Sequence, residues 1–131
     1  MVLSDDIERL ASIVIDCGLK VHIELGPGLM ESVYEAVLEN RLRKLGLAVE
    51  RQKAISIKVD GLILPDSFRA DLLIENTLLL ELKSVEKLST IHNMQLHTYL
   101  RLMNLPLGLL LNFGGETFKQ GIKRIINNHA I

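Results

Sequence analysis

Cysteine is nearly missing from this chain: Cys17 is the only one among 131 residues. No intrachain disulfide can form, and a reducing compartment, the cytoplasm, is the expected setting. Long apolar runs are missing too. The longest, 105-LPLGLLLNF-113, is strand-sized and falls well short of the roughly 20 residues that a bilayer-crossing helix needs, so no membrane role is expected. The opening residues, MVLSDDIERL, have neither a basic flank nor a continuous apolar stretch, and they are not expected to be a secretory leader. There is no GxxxxGK[ST], hence no phosphate loop, and Gly26-Pro27-Gly28 reads as a helix break. His92 and His97 lie roughly 140° apart around a helix, which excludes them as a joint zinc pair.

Charge of one sign is also lacking. Fifteen basic residues stand against 16 acidic ones, for a net charge of −1. A protein that lives on non-specific nucleic-acid binding is normally basic, so this balance counts mildly against that mode. Arg41, Arg43, Lys44, Arg51 and Lys53 do fall close together. They read as a solvated helix end and strand start, with a local basic surface as the alternative.

Apolar residues are plentiful, at 48% with a mean hydropathy of +0.26. That suffices for one core and one domain over residues 1–131. In 4-SDDIERLASIVIDCGLKVHIEL-25, Ile7, Leu10, Ala11, Val14, Ile15, Leu19 and Ile23 recur at helical spacing behind Ser4, a candidate N-cap. A second helix is predicted from Leu29 to Leu45, stopped by Gly46. The period then changes to strand alternation at Ile55, Ile57 and Val59, and Asp60-Gly61 signals a hairpin. A strand through residues 67–75, with Pro65 confined to its edge or start, turns at Asn76-Thr77 into 77-TLLLELKSV-85. Residues 89–104 read as a helix, 107–113 as a core strand, and 117–128 as either strand or short helix. Met30, Met94 and Met103 read as core filler and Cys17 as a buried hydrophobe. The order is α-α-β-β-β-α-β, and the crossover helix calls for a parallel strand pair.

The strand 77-TLLLELKSV-85 carries Glu81 and Lys83 on one face, among leucines. If the preceding turn spans Glu75-Asn76-Thr77, Asp71 lies opposite Glu81 on that face; a two-residue turn shifts the register by one. Two like charges about 4 Å apart repel by about 4 kcal/mol at an effective dielectric of 20. A hard divalent cation removes that cost, and Lys83 beside it can steady a phosphate or activate a water. The alternative is a wet face with weak surface ion pairs.

Asp71 followed by Glu81-Leu82-Lys83 resembles the signature of the PD-(D/E)XK nuclease superfamily. The segment 28-GLMESVY-34 resembles the motif of the GxxExxY protein family, a bacterial and archaeal group assigned to that superfamily. The likeness runs from Val14 to Phe113. It implies an α/β fold bordering on α+β: a restriction-endonuclease-like αβββαβ core with a mixed sheet flanked by helices. It implies that Asp71, Glu81 and Glu31 hold Mg²⁺ or Mn²⁺ and that Lys83 is the catalytic lysine. Gln95 and Tyr99 match the Gln-x-x-x-Tyr element of the RecB-like exonuclease branch, with Gln95 as an orienting catalytic group. Gly28, Tyr34, Tyr99 and His92 are expected in supporting roles, Tyr34 by packing with its hydroxyl as an orienting donor. Ala70 stands where the signature has proline. The implied activity is metal-dependent hydrolysis of nucleic acid, DNA foremost, with a homodimer as one way to widen the binding surface. The competing expectation is a nuclease-like module that binds nucleic acid or protein without cutting.

Overall fold

The computed structural model describes residues 3–128. Helix α1 (Asp5–Leu25) begins where the Ile7 N–H donates to Ser4 Oγ, with Asp5, Asp6 and Glu8 in the turn that favours negative charge. Its buried stripe is Ile7, Leu10, Val14, Cys17 and Val21. Gly18 belongs to that stripe because a Cβ there would come 2.6 Å from the Phe118 ring. Helix α2 (Glu31–Lys44) starts two residues later than its apolar pattern suggests and ends at Gly46, whose φ of 87° suits glycine.

Among the described residues five strands form one sheet in the order β1-β2-β3-β4-β5. They are β1 (Val49–Val59), β2 (Leu62–Ile74), β3 (Leu78–Lys83), β4 (Leu107–Asn112) and β5 (Ile122–Ile126). Helix α3 (Thr90–Met103) crosses between β3 and β4, the one parallel pair; the other neighbours are antiparallel. This is the mixed, helix-flanked sheet expected for a restriction-endonuclease-like α/β fold. The ambiguous tail is both things: a 3-10 turn over Lys119–Gly121 and then β5, which covers the β4 edge.

The run of leucines in β3 follows from burial on both faces. Leu78, Leu80 and Leu82 pack with α1 and α2; Leu79 packs with Leu96 and Leu100 of α3. Gly108 on β4 lets α3 approach, since a Cβ there would lie 3.0 Å from the Leu96 side chain. Met30 and Met94 are not core: they are 75% and 59% exposed, one capping α2 and the other on the outer side of α3. Cys17 is buried as expected. Among the described residues no helix is long and apolar enough to cross a membrane.

Strand β2 is longer than β3. It pairs with β3 only through Leu72–Ile74, so its earlier residues continue with β1 as a two-stranded arm. The arm turns at Asp60-Gly61, both at positive φ, as a tight hairpin requires. Between Ile55 and Ile57 the register slips, and Pro65, Asp66 and Ser67 bulge on β2. Pro65 thus sits inside the strand but on an edge where no neighbour asks for its missing N–H.

Candidate metal and nuclease site

The hairpin turn at Glu75-Asn76 sets Ile74 opposite Leu78, Leu73 opposite Leu79 and Leu72 opposite Leu80. One further step puts Asp71 opposite Glu81, the register that the three-residue turn predicts. There the strands stop exchanging backbone hydrogen bonds, and side chains take over. The Asp71 N–H donates to Glu81 Oε2 at 2.8 Å, and the Leu82 N–H donates to Asp71 Oδ2 at 2.9 Å. Each carboxylate thus satisfies a backbone donor of the opposite strand.

The electrostatics are poor for two free anions. Glu81 is buried, and burial together with the Asp71 charge pushes its carboxyl up to about 8 from 4.5. Asp71 is also raised, by burial first and then by the charge of Glu35, against the opposing pull of the Leu82 N–H. Lys83, half-buried two residues along the strand, favours the ionised form of both.

Two further elements converge on the pair. From α2, the buried Glu35 accepts from Arg51 Nε at 2.8 Å and from Gln52 Nε2 at 2.9 Å. The same Gln52 amide donates to Asp71 Oδ1 at 3.1 Å. From α3, Tyr99 stacks on Phe68 with ring centroids 4.0 Å apart. Burial, then the charges of Glu81 and Asp71, raises the Tyr99 hydroxyl's pKa, so its ring reaches the field of the pair.

The remaining expected residues are placed as follows. Glu31 opens α2, exposed, in a shallow depression with Gly28 and Ser84. The α2 glutamate whose charge bears on Asp71 and Glu81 is Glu35, four residues on. Tyr34 is fully buried and stacks on Phe113 at 4.6 Å, which matches the packing expectation. Its hydroxyl donates to the Gly26 carbonyl at 2.6 Å and accepts from the Leu29 N–H at 3.1 Å. Tyr34 therefore pins the Gly-Pro-Gly loop, in which Gly28 needs its φ of 105°. Gln95 is exposed, one turn before Tyr99. His92 accepts the Ser89 N–H on Nδ1 at 3.1 Å and so caps α3. The basic cluster is largely spoken for: Arg41 pairs with Glu24, Arg43 with Glu39, Arg51 with Glu35 and Lys53 with Glu50.

Glu35, Gln52 and Arg51 were not singled out from the sequence as site residues. A signal was present for Glu35: it neighbours the buried stripe Tyr34, Leu38 and Leu42, where an unpartnered acid would be costly. Gln52 carries none, because a polar residue at the start of an exposed strand is ordinary.

The donor set fits a hard divalent cation. Among the described residues no three acidic, histidine or cysteine side chains are gathered as a ready-made cage. Mg²⁺ does not ask for one; it is commonly held by one or two carboxylates plus waters and substrate phosphates. A buried and a half-buried carboxylate in mutual repulsion, with one lysine nearby, form a site short of positive charge.

Comparison with known proteins speaks to the family and the fold. The profile of the PD-(D/E)XK nuclease superfamily matches residues 8–125. Among solved structures, the crystal structure of SSO0001 superposes with a TM-score of 0.54 at 22% identity, over 73% of this chain. This chain spans 49% of that one, so the likeness speaks for the fold alone. No curated protein matches the sequence.

Proposed function

The chain belongs to the PD-(D/E)XK nuclease superfamily, and from that premise we propose that it is a metal-dependent phosphodiesterase acting on nucleic acid, DNA in the first place. The observation that carries this reading is the parting of β2 and β3, which sets Asp71 and Glu81 against each other beside Lys83.

In this reading Asp71 and Glu81 hold a Mg²⁺ or Mn²⁺ ion. The ion's contribution when bound is to polarise the scissile phosphate and to lower the pKa of a water. The chain's own residues do the rest. Burial of Glu81 and half-burial of Asp71 keep competing solvent charge away. The Lys83 ammonium lies near the charge that develops on the phosphoryl oxygens and lowers its energy. Gln95, exposed at the rim of α3, is an orienting group for the substrate backbone. Tyr34 and Gly28 shape the loop at the start of α2, and its GxxExxY pattern is our reason for placing the chain in the family of that name. Glu31 and Glu35 are both candidates for the additional acid; the charge contact favours Glu35. The same reading places the protein with its substrate in the cytoplasm.

The test is cleavage of single- and double-stranded DNA with Mn²⁺, beside the Lys83→Ala variant. The variant is expected to fold normally and to lose cleavage. If wild-type protein cuts no better than the variant, the catalytic reading fails.

One observation favours a second reading, a binding module that does not cut. Four members of the basic cluster on α2 and β1, Arg41, Arg43, Arg51 and Lys53, are paired with Glu24, Glu39, Glu35 and Glu50 rather than left facing a phosphate backbone. Calorimetry separates the two: no heat with millimolar Mn²⁺ favours the module, and binding favours the enzyme. A homodimer, if formed, would supply the contact area that one small domain lacks.

A further inference from the structure

Gln52 sits within β1 with φ at 51°, in the left-handed region. A glutamine gains nothing there intrinsically, and the left-handed conformation is strained for a side chain with a Cβ. The surrounding contacts hold it in place. Arg69, on the neighbouring strand, donates from its guanidinium to the Gln52 carbonyl at 3.2 Å. The Gln52 amide nitrogen donates to Glu35 Oε1 at 2.9 Å and to Asp71 Oδ1 at 3.1 Å. Both of its N–H groups therefore end on carboxylates. Arg51 Nε reinforces the first of these at 2.8 Å, on the same oxygen of Glu35.

The consequence falls on Asp71. One of its oxygens takes the Gln52 amide and the other takes the Leu82 N–H at 2.9 Å. Two donors from two different strands fix the plane of the carboxylate. Each oxygen keeps a further acceptor position for something else. Outer hydrogen bonds that orient a ligating group in this way are worth about 10–100-fold in metal affinity. With an ordinary extended backbone at residue 52, strand alternation would govern where this side chain points. The left-handed residue re-aims it, as bulged residues do beside active sites.

We propose that Gln52 is a positioning residue for the cation site: it holds Asp71 in its ligating orientation and ties Glu35 to it, and its strained backbone is retained for that role. The proposal rests on the metal-binding reading above.

The experiment is Mn²⁺ titration by calorimetry on the full chain, with thermal unfolding in EDTA measured alongside. Gln52→Gly keeps the left-handed backbone without strain and deletes the amide. It is expected to lose about 10–100-fold in Mn²⁺ affinity while its metal-free melting temperature stays level or rises. Gln52→Asn tolerates the same backbone and keeps an amide, and it is expected to recover part of the lost affinity. Wild-type affinity in Gln52→Gly overturns the positioning role. So does a lowered metal-free melting temperature in Gln52→Gly, which would mark the residue as structural, and so does an Asn variant no better than Gly. If wild-type protein takes up no Mn²⁺, the metal-binding reading itself fails and takes this one with it; that outcome is distinct from the other three.

Discussion

The hairpin of β2 and β3 has two halves, and they are held together differently. Beside the turn, Leu72, Leu73 and Ile74 face Leu80, Leu79 and Leu78 in a regular ladder, buried on both sides. One residue further, the Glu81 carboxylate accepts the Asp71 N–H, the Asp71 carboxylate accepts the Leu82 N–H, and the ladder ends. The first half is stabilised by apolar burial, at about 25 cal/mol per Å², and asks nothing of pH or ions. The second half holds charge out of water and is stable only as far as protons, cations or amides offset that. Stability and chemistry are thus separated by a single step of register.

Cutting into the first half should give the largest effect. Leu80→Ala is expected to cost about 2–5 kcal/mol in denaturant unfolding, because the fully buried site cannot collapse around the lost atoms. A loss under about 1 kcal/mol would mean that the ladder half is not the stable one.

The second half is tested through pH. The Glu81 carboxyl lies at about 8 in the native state against 4.5 unperturbed. Between those values the native protein keeps a proton that the unfolded chain has released. Metal-free stability should therefore fall as pH rises from about 4.5 to about 8 and level off above, by on the order of a few kcal/mol in total. Asp71, also raised, acts in the same direction. Glu81→Gln should flatten this slope and make the metal-free protein the more stable of the two at pH 9. It should also weaken Mn²⁺ binding. Denaturation midpoints at pH 5, 7 and 9 in EDTA decide the matter, and a wild-type midpoint that does not fall between pH 5 and 9 contradicts it.

A smaller effect is expected from Tyr34→Phe, which keeps the stack on Phe113 but strands the Leu29 N–H and the Gly26 carbonyl. About 1–2 kcal/mol should be lost, with Mn²⁺ affinity unchanged, since the hydroxyl pins a loop and not the acids. The smallest effect belongs to Arg124→Ala. Its pair with Glu8 at 2.7 Å is solvent-exposed, and its removal should shift stability by under about 1 kcal/mol.

Much of this architecture was legible in advance because it depends on short-range rules. The alternation of β2 and β3 left two registers, and the three-residue turn seen in the structure selects the one in which Asp71 meets Glu81. The crossover helix required a parallel β3 and β4. That the charge of Glu35 bears on the two acids was not legible. Glu31 and Glu35 lie on one side of α2, four residues apart, and only the docking of the helix against the sheet chooses between them. Met30 and Met94 were misplaced as core for a related reason: hydrophobicity says what can be buried, and helix rotation says what is. Gln52 was invisible because a left-handed backbone is chosen by partners on other strands, Arg69 and Asp71, and on α2.

By itself, the sequence determined the element order through β4, the apolar strand at the centre of the sheet, and, for a three-residue turn, the meeting of Asp71 with Glu81. Each of these follows from a local period or a turn length, and local geometry needs no distant partner. Only the tertiary structure decided which α2 glutamate brings its charge to the pair and how Gln52 reaches both Glu35 and Asp71. The bonds of Glu35 to Arg51 and Gln52, and of Gln52 to Asp71, join groups 16 or more residues apart, and they come into being only when the core has set the helices and the arm against the sheet.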